Sequence, residues 1–394
     1  MRTTYRVAVL ALASCCSSPV AAARAQALQW LVTANENKVE LIDGVSTVRA
    51  SPPPDNVTLF DIAGAVPRLV AQVDVPVSVA GPPQSVVLAP DLTLALVTAA
   101  TRVDPTDPTK LVDGAQIAVL DLEASPPAVV QTLAVGPAPA AVAITPNGSL
   151  ALAVTRTDSS VLVFTLQNKR LQQIARLALP EKSVPGGLAI APDGKRALVT
   201  RDGDSTVTVL NIEGNNVTLA GRDFFTGLRP YSVQIAPNGE WAIVGNVGRG
   251  QGDADTITLV DLKGALPRSL HHASVGPSVE GVAISRDSKL IAAVVQNGSN
   301  RVPTFPFYAE HGYVVLLRVD DGKLVTLGSA PIGKWSQGAA FSADSRVLYV
   351  QNMVERDLQI FRVDRIRGKE SLDTHPHKHI RLPGGGAAIT VGFR

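Results

Sequence analysis

Short apolar runs with alternating polar positions recur along this chain, and they come in sets of four. The set is clearest over residues 187–201, where Leu188-Ala-Ile-Ala-Pro192 and Leu198-Val-Thr200 flank Asp193-Gly194. Period-two alternation bounded by a turn signal predicts two antiparallel strands and a tight hairpin, with both central turn residues at positive φ. Copies of the first strand begin at Val86, Val142, Leu188, Val233, Val282, Ala339 and Ala387, a spacing of roughly 45 to 57 residues. Copies of the second strand lie at Leu31, Leu96, Ala153, Leu198, Ile243, Ala293 and Tyr349. A third alternating strand follows each, as in Ile117-Ala-Val-Leu-Asp-Leu122, and a weaker fourth closes the set, as in Val129-Val-Gln-Thr-Leu-Ala-Val135.

Four short antiparallel strands at this period make a propeller blade. The expected fold is all-β, a seven-bladed β-propeller of four-stranded antiparallel blades. The first full unit starts at its second strand, and the chain ends on a spare first strand. The C-terminal strand is therefore expected to complete blade 1 and close the ring, leaving no frayed end. The Leu-Val-Thr ending of the second strand, after Pro-Asp-Gly, resembles the YVTN-type seven-bladed propeller repeat over about residues 28–394. That resemblance implies a family that includes lactonase-like enzymes, quinone-linked amine dehydrogenase subunits and non-catalytic envelope proteins, and fold alone does not choose among them.

Residues 1–27 are expected to be a signal peptide, with Arg2 and Arg6 ahead of the apolar run 7–13 and small residues before Leu28. The domain then spans 28–394, in the periplasm or secreted. Leu12-Ala-Ser-Cys15 offers the alternative of a lipid anchor through Cys15. Both cysteines, Cys15 and Cys16, lie in the leader, so the cleaved chain is expected to hold no disulfide and no covalently attached c-type haem. No later stretch is long and apolar enough to span a bilayer. Without Arg2, Arg6 and Arg24 the charge balance is 33 basic against 34 acidic residues. Neutrality, with only 4% aromatic residues, argues against a nucleic-acid partner.

The internal repeat also exposes its own exceptions. Each blade carries a small residue before its first strand: Ser85, Ala141, Gly187, Ser232, Gly281, Gly338 and Gly386. Close approach around a central channel would require this. One position earlier stand Gln84, Ala140, Gly186, Tyr231, Glu280, Gln337 and Gly385. Tyr231, Glu280 and Gln337, with Arg229 and Trp335, therefore form an expected polar and aromatic cluster where blades 4, 5 and 6 lead into their successors. At the end of the second strand, Arg156 and Arg201 are expected neighbours able to clamp a carboxylate or phosphate, or else to pair with Asp158, Asp202 or Asp204. These seven residues make the candidate site, for a small polar or anionic ligand or a protein partner. Long excursions at 35–56, 100–114, 248–255 and 297–312 are expected on the same face.

His375, His377 and His379 alternate, but they lead into the outermost strand of blade 7, so a solvated rim is expected rather than a metal centre. Asp202 with Asp204, and Asp253 with Asp255, fall short of a calcium loop. No nucleophile elbow, zinc-protease or phosphate-loop motif is present, and no cofactor is assigned. The first functional reading is an exported non-catalytic binding or scaffold propeller. The alternative is a lactonase-like hydrolase acting on a small lactone or sugar acid, with Glu280, Arg229, Arg201 and His311 available for its chemistry. A third is a redox subunit needing a partner or a non-covalent cofactor.

Overall fold

The computed structural model describes residue 1 and residues 28–64, 66–366 and 369–394. The expected leader, apart from Met1, lies outside the described residues. What is described is seven antiparallel blade sheets, one two-stranded hairpin and no α-helix. In blade 1 the order from the axis outward is Gly385–Phe393, Gln29–Glu36, Asn56–Asp61 and Arg68–Asp74. The last strand of the chain thus forms the innermost strand of the first blade. It pairs from Gln29↔Phe393 to Glu36↔Gly385, with one irregularity beside Ala34. Blades 2 to 6 are meanders with inner strands Val86–Leu88, Pro139–Ile144, Pro185–Ile190, Pro230–Ile235 and Val279–Ile284. Blade 7 begins with Ser336–Phe341, and its outer position is split. Lys378–Arg381 pairs with one half of Asp357–Ile366 and Lys369–Leu372 with the other.

Burial explains why the middle strands read as almost continuous apolar runs. Leu150–Thr155 and Leu290–Val295 are buried at every residue, because each blade packs against a neighbour on both faces. The outer strand Arg68–Asp74, by contrast, is largely exposed. An apolar cluster fills every junction between adjacent blades. The junction of blades 7 and 1 is among them, built from Leu31, Phe60, Tyr349, Leu358 and Ile389. The threonine that ends the second-strand motif ties blade to blade. Thr98 donates to the Ala140 carbonyl of blade 3 at 2.7 Å, and Thr200 to the Tyr231 carbonyl of blade 5 at 2.7 Å.

The hairpin turns differ from the two-residue form expected. Only the glycine takes positive φ, at 73° in Gly148 and 69° in Gly194. Gly194 N–H donates to the Ala191 carbonyl, with Pro192 in the position that suits its fixed φ. Asp193 accepts from the Lys195 N–H at 2.9 Å, which is why Asp or Asn recurs there.

The channel is blocked. Pro82, Pro83 and Gln84, at the approach to blade 2, lie across the axis. Gln84 Nε2 donates to the Leu188 and Val233 carbonyls at 3.1 and 2.9 Å, while its Oε1 accepts from Val233 N–H at 3.2 Å. Pro83 sits against Gly281 and Gly338 of blades 6 and 7. Close approach is why the ring of small residues exists. A Cβ at Gly187 would stand 2.5 Å from the Tyr231 carbonyl oxygen and 2.7 Å from Gln84 Oε1. Below the block, Pro83 and Gln84 cap an axial cavity of about 130 Å³; above it the mouth opens.

Candidate active site at the channel mouth

One backbone device recurs at the mouth. Ala138, Val184, Arg229, Ser278 and Trp335, which lead into the inner strands of blades 3 to 7, all have φ between 47° and 62°. A non-glycine residue there costs free energy. Its recurrence makes it a property of the blade connection rather than of one site. Arg229, Ser278 and Trp335 at this position all line a mouth cavity of about 330 Å³.

That cavity brings together Arg156, Arg229, Tyr231, Glu280 and Trp335 of the seven candidate residues. Gln337 is fully buried, outside the cavity lining, with Nε2 donating to the Trp335 carbonyl at 3.2 Å. Arg201 is placed differently from expectation. Its guanidinium is 6% exposed and held by Asp204, Asp223, Thr206 and Thr208 within blade 4. The expected Arg156–Arg201 clamp is not formed, and the reason is register. Pro139 pairs with Thr155 and Pro185 with Arg201, so Arg201 matches Thr155 and it is Asp202 that matches Arg156. In a strand one residue of register is the difference between the two faces. The pairing with aspartates weighed for these arginines is present, as Arg156–Asp202 and Arg201–Asp204.

Asp202 is the centre of the polar wall. It is 5% exposed and accepts from Arg156 Nη2 at 3.1 Å and from Arg229 Nε and Nη2 at 2.5 and 3.1 Å. The pair with Arg229 pushes that guanidinium's pKa up. Arg156 also lies over the Tyr231 ring, 5.8 Å from its centroid, and keeps Nη1 buried without a protein partner. Burial pushes the Tyr231 phenol up, out of reach of physiological pH. Glu280 is 6% exposed and accepts from Gln296 Nε2 at 2.8 Å. Burial raises its carboxyl pKa to about 8. Arg156 and Arg229 pull the other way, and Asp202 adds to the rise. A buried carboxyl at this pKa exchanges a proton near neutrality, as an acid/base catalyst must.

The roof comes from the excursion of blade 1, a hairpin of Val39–Ile42 and Val45–Val48. Val39 and Ser46 line the cavity, and Gly44 at the turn rests on the Arg301 backbone of blade 6. Its root is a buried charge cluster: Lys38 Nζ meets Glu36 and Asp55 at 3.0 and 2.9 Å and donates to the Val77 carbonyl. Glu36 in turn accepts from the Val79 N–H. The same cluster thereby holds the segment leading to the Pro82-Pro83-Gln84 block. Arg301 donates to the Gly250 carbonyl at 2.7 Å, tying the excursions of blades 5 and 6. His311 is exposed and does not line the cavity. The His375–His379 tract lies on the outer edge of blade 7, where His379 meets Asp357 at 2.7 Å. Among the described residues no cluster of three His, Cys, Asp or Glu is placed to hold a metal, and no helix is long and apolar enough to cross a membrane.

Comparison with known proteins agrees with this architecture. The family model "Lactonase, 7-bladed beta-propeller" matches residues 113–223. Among solved structures, a candidate 6-phosphogluconolactonase from Bacteroides uniformis ATCC 8492 is similar, with a TM-score of 0.68 at 14% identity, covering 93% of this chain and 99% of that one. A second candidate 6-phosphogluconolactonase, from Bacteroides fragilis NCTC 9343, gives 0.67 at 16%, covering 93% and 98%. A protein of unknown function from Desulfotomaculum acetoxidans DSM 771 gives 0.66 at 16%, covering 92% and 98%. At these identities the likeness is one of fold. No curated protein matches the chain.

Proposed function

We propose that this propeller hydrolyses a small lactone at its channel mouth. The observation that carries the reading is Glu280, a buried carboxyl with its pKa raised to about 8, lining the mouth cavity beside Arg156, Arg229 and Tyr231. The partial match to a lactonase family model supports the same choice. In this mechanism ionised Glu280 takes a proton from water as the water oxygen attacks the lactone carbonyl. Arg156, with its free Nη1, stabilises the oxyanion of the tetrahedral intermediate. When the ring C–O bond breaks, Glu280 returns the proton to the departing alkoxide oxygen, and the product is a hydroxy acid. Asp202 holds both guanidiniums in place and lowers the net charge of the cavity. Leader cleavage would put the reaction outside the cytoplasm.

The test is turnover of a lactone panel in a pH-stat. Below pH 8 the rate should rise about tenfold per pH unit as Glu280 ionises, then level off. Glu280→Gln should lose about 10²- to 10⁴-fold. Undiminished turnover in that variant would refute the assignment. A second reading, a non-catalytic binding protein, is favoured by one feature. Arg156 and Arg229 already share the buried carboxylate of Asp202, so both guanidiniums have an anionic partner without any substrate. Saturable ligand binding with no turnover in the wild type would select it.

A further inference from the structure

The walls of the mouth cavity differ in chemistry. Blades 3 to 6 contribute the charges: Arg156, Asp202, Arg229, Glu280, Arg249 and Arg301. Blades 1 and 2 contribute Val39, Val79, Ala80 and Leu111, and no charged side chain from these two blades lines the cavity. Their two hydroxyl-bearing lining residues are Ser46 and Thr101. The Thr101 hydroxyl is already engaged, 2.8 Å from Ser78 Oγ. The apolar wall ends at the hairpin: Ile42 and Val45, 49% and 54% exposed, pair on the hairpin face opposite Val39 and Ser46.

A polyhydroxylated ring has hydroxyls all round. Against this wall several would lose water and find no partner, a cost that selects against such a ligand. We infer that the ligand is amphipathic: a compact ester or carboxylate head at Arg156, Tyr231 and Glu280, carrying an alkyl or aryl substituent along Val39, Val79 and Leu111 and out beneath the hairpin. This deepens the lactone reading and rests on it for the head group. The preference for an apolar substituent stands on the wall alone.

The experiment measures binding and turnover separately. Probes are γ-lactones with methyl, propyl, pentyl and heptyl substituents at the ring carbon next to oxygen, and glucono-δ-lactone for contrast. Affinities are read by calorimetry on Glu280→Gln, and turnover on the wild type. Affinity should strengthen by about fourfold per buried methylene until the substituent reaches solvent. Glucono-δ-lactone should bind more weakly than the pentyl lactone. Leu111→Gln, at a half-buried position at the start of the strand Leu111–Asp121, should flatten the chain-length gradient, weakening the heptyl lactone far more than the methyl lactone. If the gradient appears but no lactone is turned over, hydrolysis is refuted and the amphipathic site stands. No gradient, tightest binding of glucono-δ-lactone, no binding of any probe, or a gradient that survives Leu111→Gln would overturn the inference.

Discussion

Glu280→Gln also makes a prediction about stability that needs no substrate. The folded Glu280 carboxyl has its pKa raised from the ordinary 4.5 to about 8. Between those values the native chain holds a proton that the unfolded chain has released. The unfolded state binds fewer protons, so stability falls as pH rises through this window, and the loss is complete above pH 8. At about 1.4 kcal/mol per pKa unit the wild type gives up at most about 5 kcal/mol. Glutamine has the same shape, keeps an oxygen to accept from Gln296, and does not titrate. The difference in unfolding free energy, variant minus wild type, should therefore be level at pH 4, climb in the variant's favour to pH 8, and level again. Other titrating groups are common to both proteins and cancel, including Asp255, whose carboxyl is also raised by burial. Denaturant titrations at half-unit intervals from pH 4 to 9 read the difference directly. A difference that stays constant across this range would show that Glu280 ionises as freely folded as unfolded, and the acid/base role would fall with it.

Three other perturbations probe the frame around that carboxyl. Deleting residues 385–394 removes the inner strand of blade 1 and opens the cluster of Leu31, Tyr349 and Ile389, so cooperative thermal unfolding should be lost or shifted far down; an unchanged melting temperature would refute closure by this strand. Gly187→Ala sets a methyl group against the Tyr231 carbonyl and Gln84, and should cost about 1–3 kcal/mol by denaturant titration, with an unaffected midpoint counting against the tight ring. Asp202→Asn strips the shared anion from Arg156 and Arg229. It should destabilise the fold by about 3–5 kcal/mol and tighten binding of small carboxylates measured by calorimetry; weaker carboxylate binding would show that Asp202 orders the arginines more than it neutralises them.

The fold was readable because a repeat states its pattern seven times. An irregular copy such as Ala339-Ala-Phe-Ser-Ala343 is corrected by its neighbours, and every apolar run meets a like run on the next blade. The candidate site lies where the blades differ, and there each residue speaks once. Glu280, Tyr231, Arg229 and Trp335 were legible because they replace small or apolar residues in the connections that face the mouth. Arg201 was misplaced by aligning Leu198-Val-Thr200 on Ala153-Val-Thr155, a similarity of letters one residue out of step with the ladder. Counting instead from the turn prolines, Pro146 and Pro192, sets Asp202 beside Arg156 and would have found the aspartate. The roofing hairpin left a local trace, Asp43-Gly44 between alternating runs, but its seat on blade 6 and the block at Gln84 left none. Both arise from contacts between distant blades, Gly44 with Arg301 and Gln84 with Val233, which no local pattern encodes.

The blocked axis governs traffic as well as shape. With Gln84 of blade 2 fastened across the axis to blades 4 and 5, the mouth cavity is a dead end, and whatever arrives by the opening under the hairpin must leave by it. No polymer can thread through such a ring, and no product can drain away behind the incoming substrate. The two contend for one doorway. Under the proposed lactone hydrolysis, a hydroxy acid released beside Arg156 would hold the site closed to the next lactone until it departs, so accumulated product should slow the reaction competitively.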